Sequence, residues 1–280
     1  APRRTIGMTG YPLYLATLAA PTPPKAPAML RDAMITFRYQ MRLMLREPVW
    51  IVIVMIQPLL YLALFAPLLT KLVESSHDFP PGDAWQVFVP GMLIQLGMFG
   101  SMFVGFGIIA EIRYGTVERM RVTPASRLGL LLGRVLRDAL VLLVQATLLT
   151  LVAMAFGLRV PLVGALLTVG LVLLLGIALA SLSYAAGLWL KSEDALAPLL
   201  NMISVPVLLL SGILLPMTLA PKWLLRISQA NPFSHIVDAA RASFRDDLGN
   251  SSIIVGLISA GALAAFGLWI ANRTFQRESA

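Results

Sequence analysis

Two apolar stretches, residues 87–110 and Ala139–Gly157, contain no ionisable side chain, and the chain between them is dense with charge. Its core is Glu111-Ile112-Arg113-Tyr114-Gly115-Thr116-Val117-Glu118-Arg119-Met120-Arg121-Val122-Thr123-Pro124. Charge is costly in hydrocarbon and cheap in water. This island must therefore lie outside a bilayer that both stretches cross. Its arginines, Arg113, Arg119 and Arg121, place it on the cytoplasmic side. A short charged segment joining two spans can carry a push from a soluble partner into the membrane.

The rest of the chain agrees. It is 58% hydrophobic and only 13% charged, where soluble domains carry roughly a quarter charged residues. Several runs reach the roughly 20 residues a spanning helix requires, and the alternating pattern of an outer-membrane barrel is absent. The expected fold is an all-α polytopic membrane protein. Six transmembrane helices are read at about 49–69, 85–110, 128–156, 162–190, 195–215 and 253–271. Of the 22 Lys and Arg residues, only Lys71, Arg159, Lys222, Arg226, Arg241 and Arg245 fall on the side opposite the island. The N- and C-termini are therefore expected in the cytoplasm. The formal charge of +8 belongs to span ends and loops, not to a nucleic-acid partner. Without cysteine there is neither a disulfide nor a thiolate metal site.

Four further segments complete the layout. Residues 1–28, rich in Pro, Ala and Thr, read as a disordered leader. Residues 29–47 read as an interfacial amphipathic helix. Leu30, Ala33, Met34, Phe37, Met41, Met44 and Leu45 share one arc, while Arg31, Arg38, Arg42 and Arg46 share another facing anionic headgroups. Residues 216–250 are too charged and too broken by proline to span, and read as short outer-surface or re-entrant helices. Residues 276–280 form a tail. Within the second span, Ser101-xxx-Gly105 permits close helix approach.

The chemistry that is missing narrows the function. There is no G-x-x-x-x-G-K-[ST] loop, so no ATP phosphates are cradled by this chain. His77 and His235 lack ligand partners at helical spacing, and neither a metal site nor a catalytic residue is expected. No carboxylate lies deep in a span, which counts against an ion-coupled secondary transporter. Uncharged polar groups remain: Gln57, Gln95, Gln145, Thr147, Thr150, Ser181, Ser183, Tyr184, Asn201 and Ser211. Each serves either an interhelical hydrogen bond or cargo. Gln57, Gln95, Met98, Met102, Asn201 and Ser211 form the candidate substrate path, since methionine walls adapt to varied apolar shapes.

The island resembles the loop of ABC-2-type permeases, the membrane subunits of ATP-binding-cassette exporters. Glu111, Gly115, Thr116, Glu118, Arg119, Met120, Thr123 and Pro124 match the pattern of that loop, and Arg113 stands where the family carries a second acid. Ser211-Gly212 with Pro216, Asn231-Pro232 and the amphipathic helix extend the likeness over residues 29–275, the expected transmembrane domain. The resemblance implies a coupling helix within 111–124, with Glu111, Arg113, Tyr114, Gly115, Thr116, Glu118, Arg119 and Arg121 facing the ATPase. It implies two copies of a separate ATPase subunit, which carries ATP and Mg, and a second permease copy, identical or not. It also implies location in a bacterial cell membrane and export of a hydrophobic or amphipathic drug, antibiotic, natural product or lipid, most like the daunorubicin-resistance permeases. A lipid-linked polysaccharide is the alternative cargo, against which the scarcity of aromatics in the spans argues.

Overall fold

The computed structural model describes residues 26–46, 55–64, 84–115, 126–214 and 220–277, with the single residues 49, 53 and 217. Among them the chain is helical throughout. The helices are α1 (Ala26–Arg46), α2 (Met55–Leu64), α3 (Ala84–Met102), α4 (Gly105–Arg113) and α5 (Arg127–Ala155). They continue with α6 (Leu162–Leu190), α7 (Glu193–Leu210), α8 (Lys222–Gln229), α9 (Pro232–Phe244) and α10 (Ser251–Arg277).

Among the described residues, five helical stretches are long and apolar enough to cross a membrane: Trp85–Arg113, which joins α3 to α4, and then α5, α6, α7 and α10. Of the first expected span, 49–69, the continuous helix described is the shorter apolar α2; residues 65–69 lie outside the described residues. So do 1–25 of the expected leader, Thr116–Pro124 of the island and 278–280 of the tail. The expected outer segment, 216–250, contains the two short helices α8 and α9.

Helix α6 is the hub, because its sequence is apolar on every face, the pattern of a helix surrounded by others. It packs against α3, α4, α5, α9 and α10. The main core joins Val89, Leu93 and Leu96 of α3 to Leu149 of α5, Leu171 and Leu175 of α6, Ile236 and Ala240 of α9, and Ala260 of α10. The spans differ sharply in how far this core encloses them. In the most apolar window of Trp85–Arg113, 67% of residues are buried, against 17% in α7. Met202, Val205 and Leu209 of α7 are exposed.

The bundle has two distinct ends. The island end gathers the C-termini of α4, α6 and α10 and the N-termini of α5 and α7. The far end holds α8, α9 and the opposite helix termini.

Helix α1 lies against α5 at the island end. The side buried in the protein is Asp32, Ala33, Thr36 and Gln40. Phe37 is half-buried, the four arginines are exposed, and so are Leu30, Met34 and Leu45 of the expected apolar arc. The reason is a glycine step on α5. A Cβ at Gly133 would stand 2.6 Å from the Ala33 carbonyl, and one at Gly129 would stand 2.9 Å from the Met29 carbonyl. The backbones touch at this crossing, so the residues beneath α1 are those that fit there or bond polar neighbours. The bulky apolar side chains turn outward.

The second span is interrupted. Residues Phe103 and Val104 form a turn between α3 and α4, in which Phe106 N–H reaches the Phe103 carbonyl at 3.2 Å and Gly107 N–H the Val104 carbonyl at 3.0 Å. The expected close approach at Gly105 is made to α6, where a Cβ on Gly105 would lie 2.4 Å from the Ser183 carbonyl.

Candidate functional site

The charged island leaves and re-enters the bundle over a set of side-chain clamps. Helix α4 carries Glu111 and Arg113 on its last turn. One Glu111 oxygen accepts a hydrogen bond from Gln40 Nε2 of α1 at 2.8 Å, and the other is ion-paired with Arg134 of α5. Arg134 is 3% exposed, and its guanidinium sits 6.0 Å from the Phe275 ring centroid of α10. Removing one partner of so buried a pair leaves an uncompensated charge, at a cost of about 3 kcal/mol or more. Arg113 reaches Glu193, at the start of α7, at 3.2 Å, with Arg113 exposed and Glu193 partly so. Such a pair contributes about 1 kcal/mol at most.

On the return side, Ser126 caps α5, its hydroxyl accepting from Gly129 N–H at 2.9 Å. Its own backbone N–H donates to Asp32 Oδ2 at 2.8 Å, so α1 grips both ends of the island. Tyr114 is 78% exposed and Gly115 has φ +70, a left-handed turn that suits glycine. Of the sequence-assigned island residues, Glu111, Arg113, Tyr114 and Gly115 are placed. Thr116, Glu118, Arg119 and Arg121 lie outside the described residues. Asp32, Gln40, Ser126, Arg134 and Glu193 were not singled out by sequence reasoning. The available signal was the run of polar side chains at i, i+4 and i+8 (Asp32, Thr36, Gln40) on an otherwise amphipathic helix.

Above these clamps lies a second polar cluster. Asp138 of α5 pairs with Arg137 at 2.6 Å and accepts the Tyr184 hydroxyl of α6 at 2.6 Å, while Arg137 donates to that hydroxyl at 3.0 Å. Asp138 and Tyr184 are buried. Asp138 lies toward the island end of α5. Its carboxyl is met by its chain neighbour and a tyrosine.

Two cavities flank α3. One, of about 400 Å³, lies between α2 and α3 and is lined by Ile53, Gln57, Pro58, Gln95, Leu96, Phe99, Gly100, Phe103, Val104 and Phe106. It brings Gln57 and Gln95 to one wall space. Along the span that carries Gln95 the cavity is lined by a ladder of rings: Phe99 and Phe103 lie 6.3 Å apart at 9°, and Phe103 and Phe106 lie 6.0 Å apart at 15°. Three of the span aromatics thus face this cavity.

The second cavity, about 140 Å³, holds Met98 and Met102 beside Leu179, Leu182, Val207 and Leu263. The six path residues therefore do not form one path. Asn201 is exposed on α7, and Ser211 is buried, donating to the Leu208 carbonyl at 2.9 Å to close that helix. Neither lines a described cavity.

At the far end, α9 starts at Asn231, which caps it by accepting from Phe233 N–H at 3.1 Å. Arg241 of α9 is 4% exposed. Its Nε donates to the Val87 carbonyl at 3.0 Å and its Nη2 to the Gly212 carbonyl at 2.7 Å. Burial pulls its pKa down to about 10, with Asp238 drawing it back up, so it is charged at neutral pH.

Residues 32–244 match the ABC-2 type transporter family. The chain is 24% identical over 225 residues to the daunorubicin resistance ABC transporter permease protein DrrB1 of Streptomyces coeruleorubidus, covering 78% of this chain and 77% of that protein. It is 26% identical over 198 residues to the putative transport permease ycf38 of Cyanophora paradoxa, covering 70% and 68%. It is 23% identical over 199 residues to the probable doxorubicin resistance permease DrrC of Mycobacterium tuberculosis, covering 70% of each. No solved structure matches the chain.

Proposed function

Since the chain belongs to the ABC-2 type transporter family, we propose that it is the permease of an exporter driven by a separate ATPase. Two copies of that ATPase, carrying ATP and Mg, sit beneath a pair of permeases, and this chain itself has no catalytic role. The complex lies in a bacterial cell membrane with both termini of this chain in the cytoplasm. The cargo is a hydrophobic or amphipathic small molecule, moved out of the cytoplasm or the inner leaflet. The observation that carries the reading is the family match across residues 32–244.

Three features of the molecule support it. The island rises from Glu111 and returns at Ser126 through side-chain clamps, so a partner gripping Thr116–Arg121 would pull on α1, α4 and α5 together. Any difference in how the two nucleotide states of the ATPase bind the island becomes coupling free energy. The exposed arginines and exposed Leu30, Met34 and Leu45 of α1 suit a helix lying in the headgroup layer. Asn201, exposed midway along the least enclosed span, suits a second permease copy or a polar cargo group, because a bare amide in lipid is costly.

The cavity between α2 and α3 suits the cargo. Its volume is in the range of small-molecule sites, its phenylalanine ladder offers flat apolar contact, and two amides supply orientation. Stacked rings also suit sugar faces, so a lipid-linked glycan is the second reading. Co-purification with the ATPase, followed by ATP-dependent uptake of daunorubicin into inverted vesicles, tests the first. Gln95→Leu should raise the half-saturating concentration about fivefold, the worth of roughly one hydrogen bond, with maximal uptake retained. Uptake that proceeds without nucleotide or ATPase would overturn the reading.

A further inference from the structure

The interruption of the second span has an unusual repair. Where the helix breaks, the Met102 carbonyl loses its regular partner, because Phe106 N–H has turned to Phe103. Gly105 N–H likewise begins a new helix. One hydroxyl serves both groups: Ser183 Oγ of α6 donates to the Met102 carbonyl at 2.6 Å and accepts from Gly105 N–H at 2.8 Å. Ser183 is 2% exposed, so bulk solvent does not reach these groups. The backbones cross at the same point. A Cβ on Gly187 would stand 2.7 Å from the Gly105 carbonyl, and one on Gly105 would stand 2.7 Å from Ser183 Oγ.

Resting on the permease reading, we propose that this break is the joint of a lever. Helix α4 pivots at Gly105 on α6, and Ser183 is the positioning residue that keeps both halves of the span hydrogen-bonded as their angle changes. The lower arm is nine residues, roughly 13 Å at the helical rise. Its tip carries Glu111 and Arg113, which are tied to α1, α5 and α7. Its pivot carries Phe103 and Phe106, two rungs of the cavity wall.

Movement of the island therefore arrives at the cavity as a change in the tilt of those rings. Met102 also lines the second cavity, so both are adjacent to the joint. Just before the break, Ser101 has a buried hydroxyl without a hydrogen-bond partner among the described residues. A buried orphan of this kind asks for an explanation, and a second angle of the joint, in which that hydroxyl is met, supplies one.

The test uses the permease with its ATPase in nanodiscs. The chain has no cysteine, so spin labels at Tyr114→Cys, the tip of the lever, and Leu162→Cys, at the far end of α6, in permease diluted with unlabelled copies, report the distance within one chain by pulsed electron resonance. That distance is expected to shift between nucleotide-free and ATP-trapped complexes. In Ser183→Ala the shift should blur into a broad distribution that no longer follows nucleotide. Daunorubicin moved per ATP hydrolysed should fall about tenfold while hydrolysis itself persists. Gly105→Ala, which jams the crossing, should hold the distance at one value.

A wild-type distance that ignores nucleotide, in a complex that still transports, overturns the lever and leaves the permease reading standing. So does a Ser183→Ala complex with wild-type transport per ATP. A chain that neither binds the ATPase nor requires nucleotide overturns the permease reading itself.

Discussion

At the island end of the bundle, Glu111 and Arg113 answer other side chains; at the far end, Arg241 answers the backbone. Glu111 meets Gln40 and Arg134, and Arg113 meets Glu193. Arg241, by contrast, is held by the carbonyls of Val87 and Gly212, the latter a glycine at φ +75. The difference is mechanical. A side-chain pair can be remade by rotamer changes at both partners when helices shift, whereas in a link to a carbonyl one partner is fixed to the main chain. The far end is built as a frame, and the island end as a set of contacts that can be remade.

Three substitutions sharpen or break this contrast. Glu111→Lys sets a second cation against buried Arg134 and should have the largest effect, about 3 kcal/mol or more. It is expected to abolish cargo-stimulated ATP hydrolysis. Retained coupling in a folded Glu111→Lys complex would remove the clamp from the mechanism.

Arg241→Met strips the donors from two buried carbonyls and should cost about 2 kcal/mol, read as a lower denaturation midpoint in detergent. Coupling in the surviving folded fraction should be unchanged. If Arg241→Met instead uncouples hydrolysis from transport without lowering stability, the far end is not a frame. Arg113→Ala removes a partly exposed pair and should change stability by about 0.5 kcal/mol or less, with transport within twofold of wild type. A large loss there would mean that Arg113 touches the ATPase directly.

Much of the helical layout was legible in advance, because the length and hydropathy of a run are local properties. Residues 162–190 read as a span and form α6 over the same residues. Residues 157–161, left between two expected spans, join α5 to α6, and Gly157 adopts φ +111 there. The interruption at Phe103–Val104 was not legible, since residues 87–110 read as one apolar run and what stabilises the break is a serine on another helix. The faces of α1 were half legible. Helical periodicity sorted arginines from apolar residues, but the glycines that select its buried side lie on α5, far along the chain. The candidate path failed as a single path for the same reason. Gln57 and Gln95 converge on one cavity, Met98 and Met102 turn to another, and Asn201 and Ser211 belong to neither.

The amino-acid sequence by itself determined that this chain is helical, that several of its helices can cross a bilayer, and that its charge collects in an island between two of them. Those properties follow from the cost of placing each residue in hydrocarbon, which neighbours in sequence share. Tertiary structure alone decided which groups satisfy which: Asp32 for Ser126, Gln40 and Arg134 for Glu111, Ser183 for the broken span, and the backbone for Arg241. A hydrogen bond requires atoms within about 3 Å of each other, and residues distant along the chain come that close only when the whole bundle has packed.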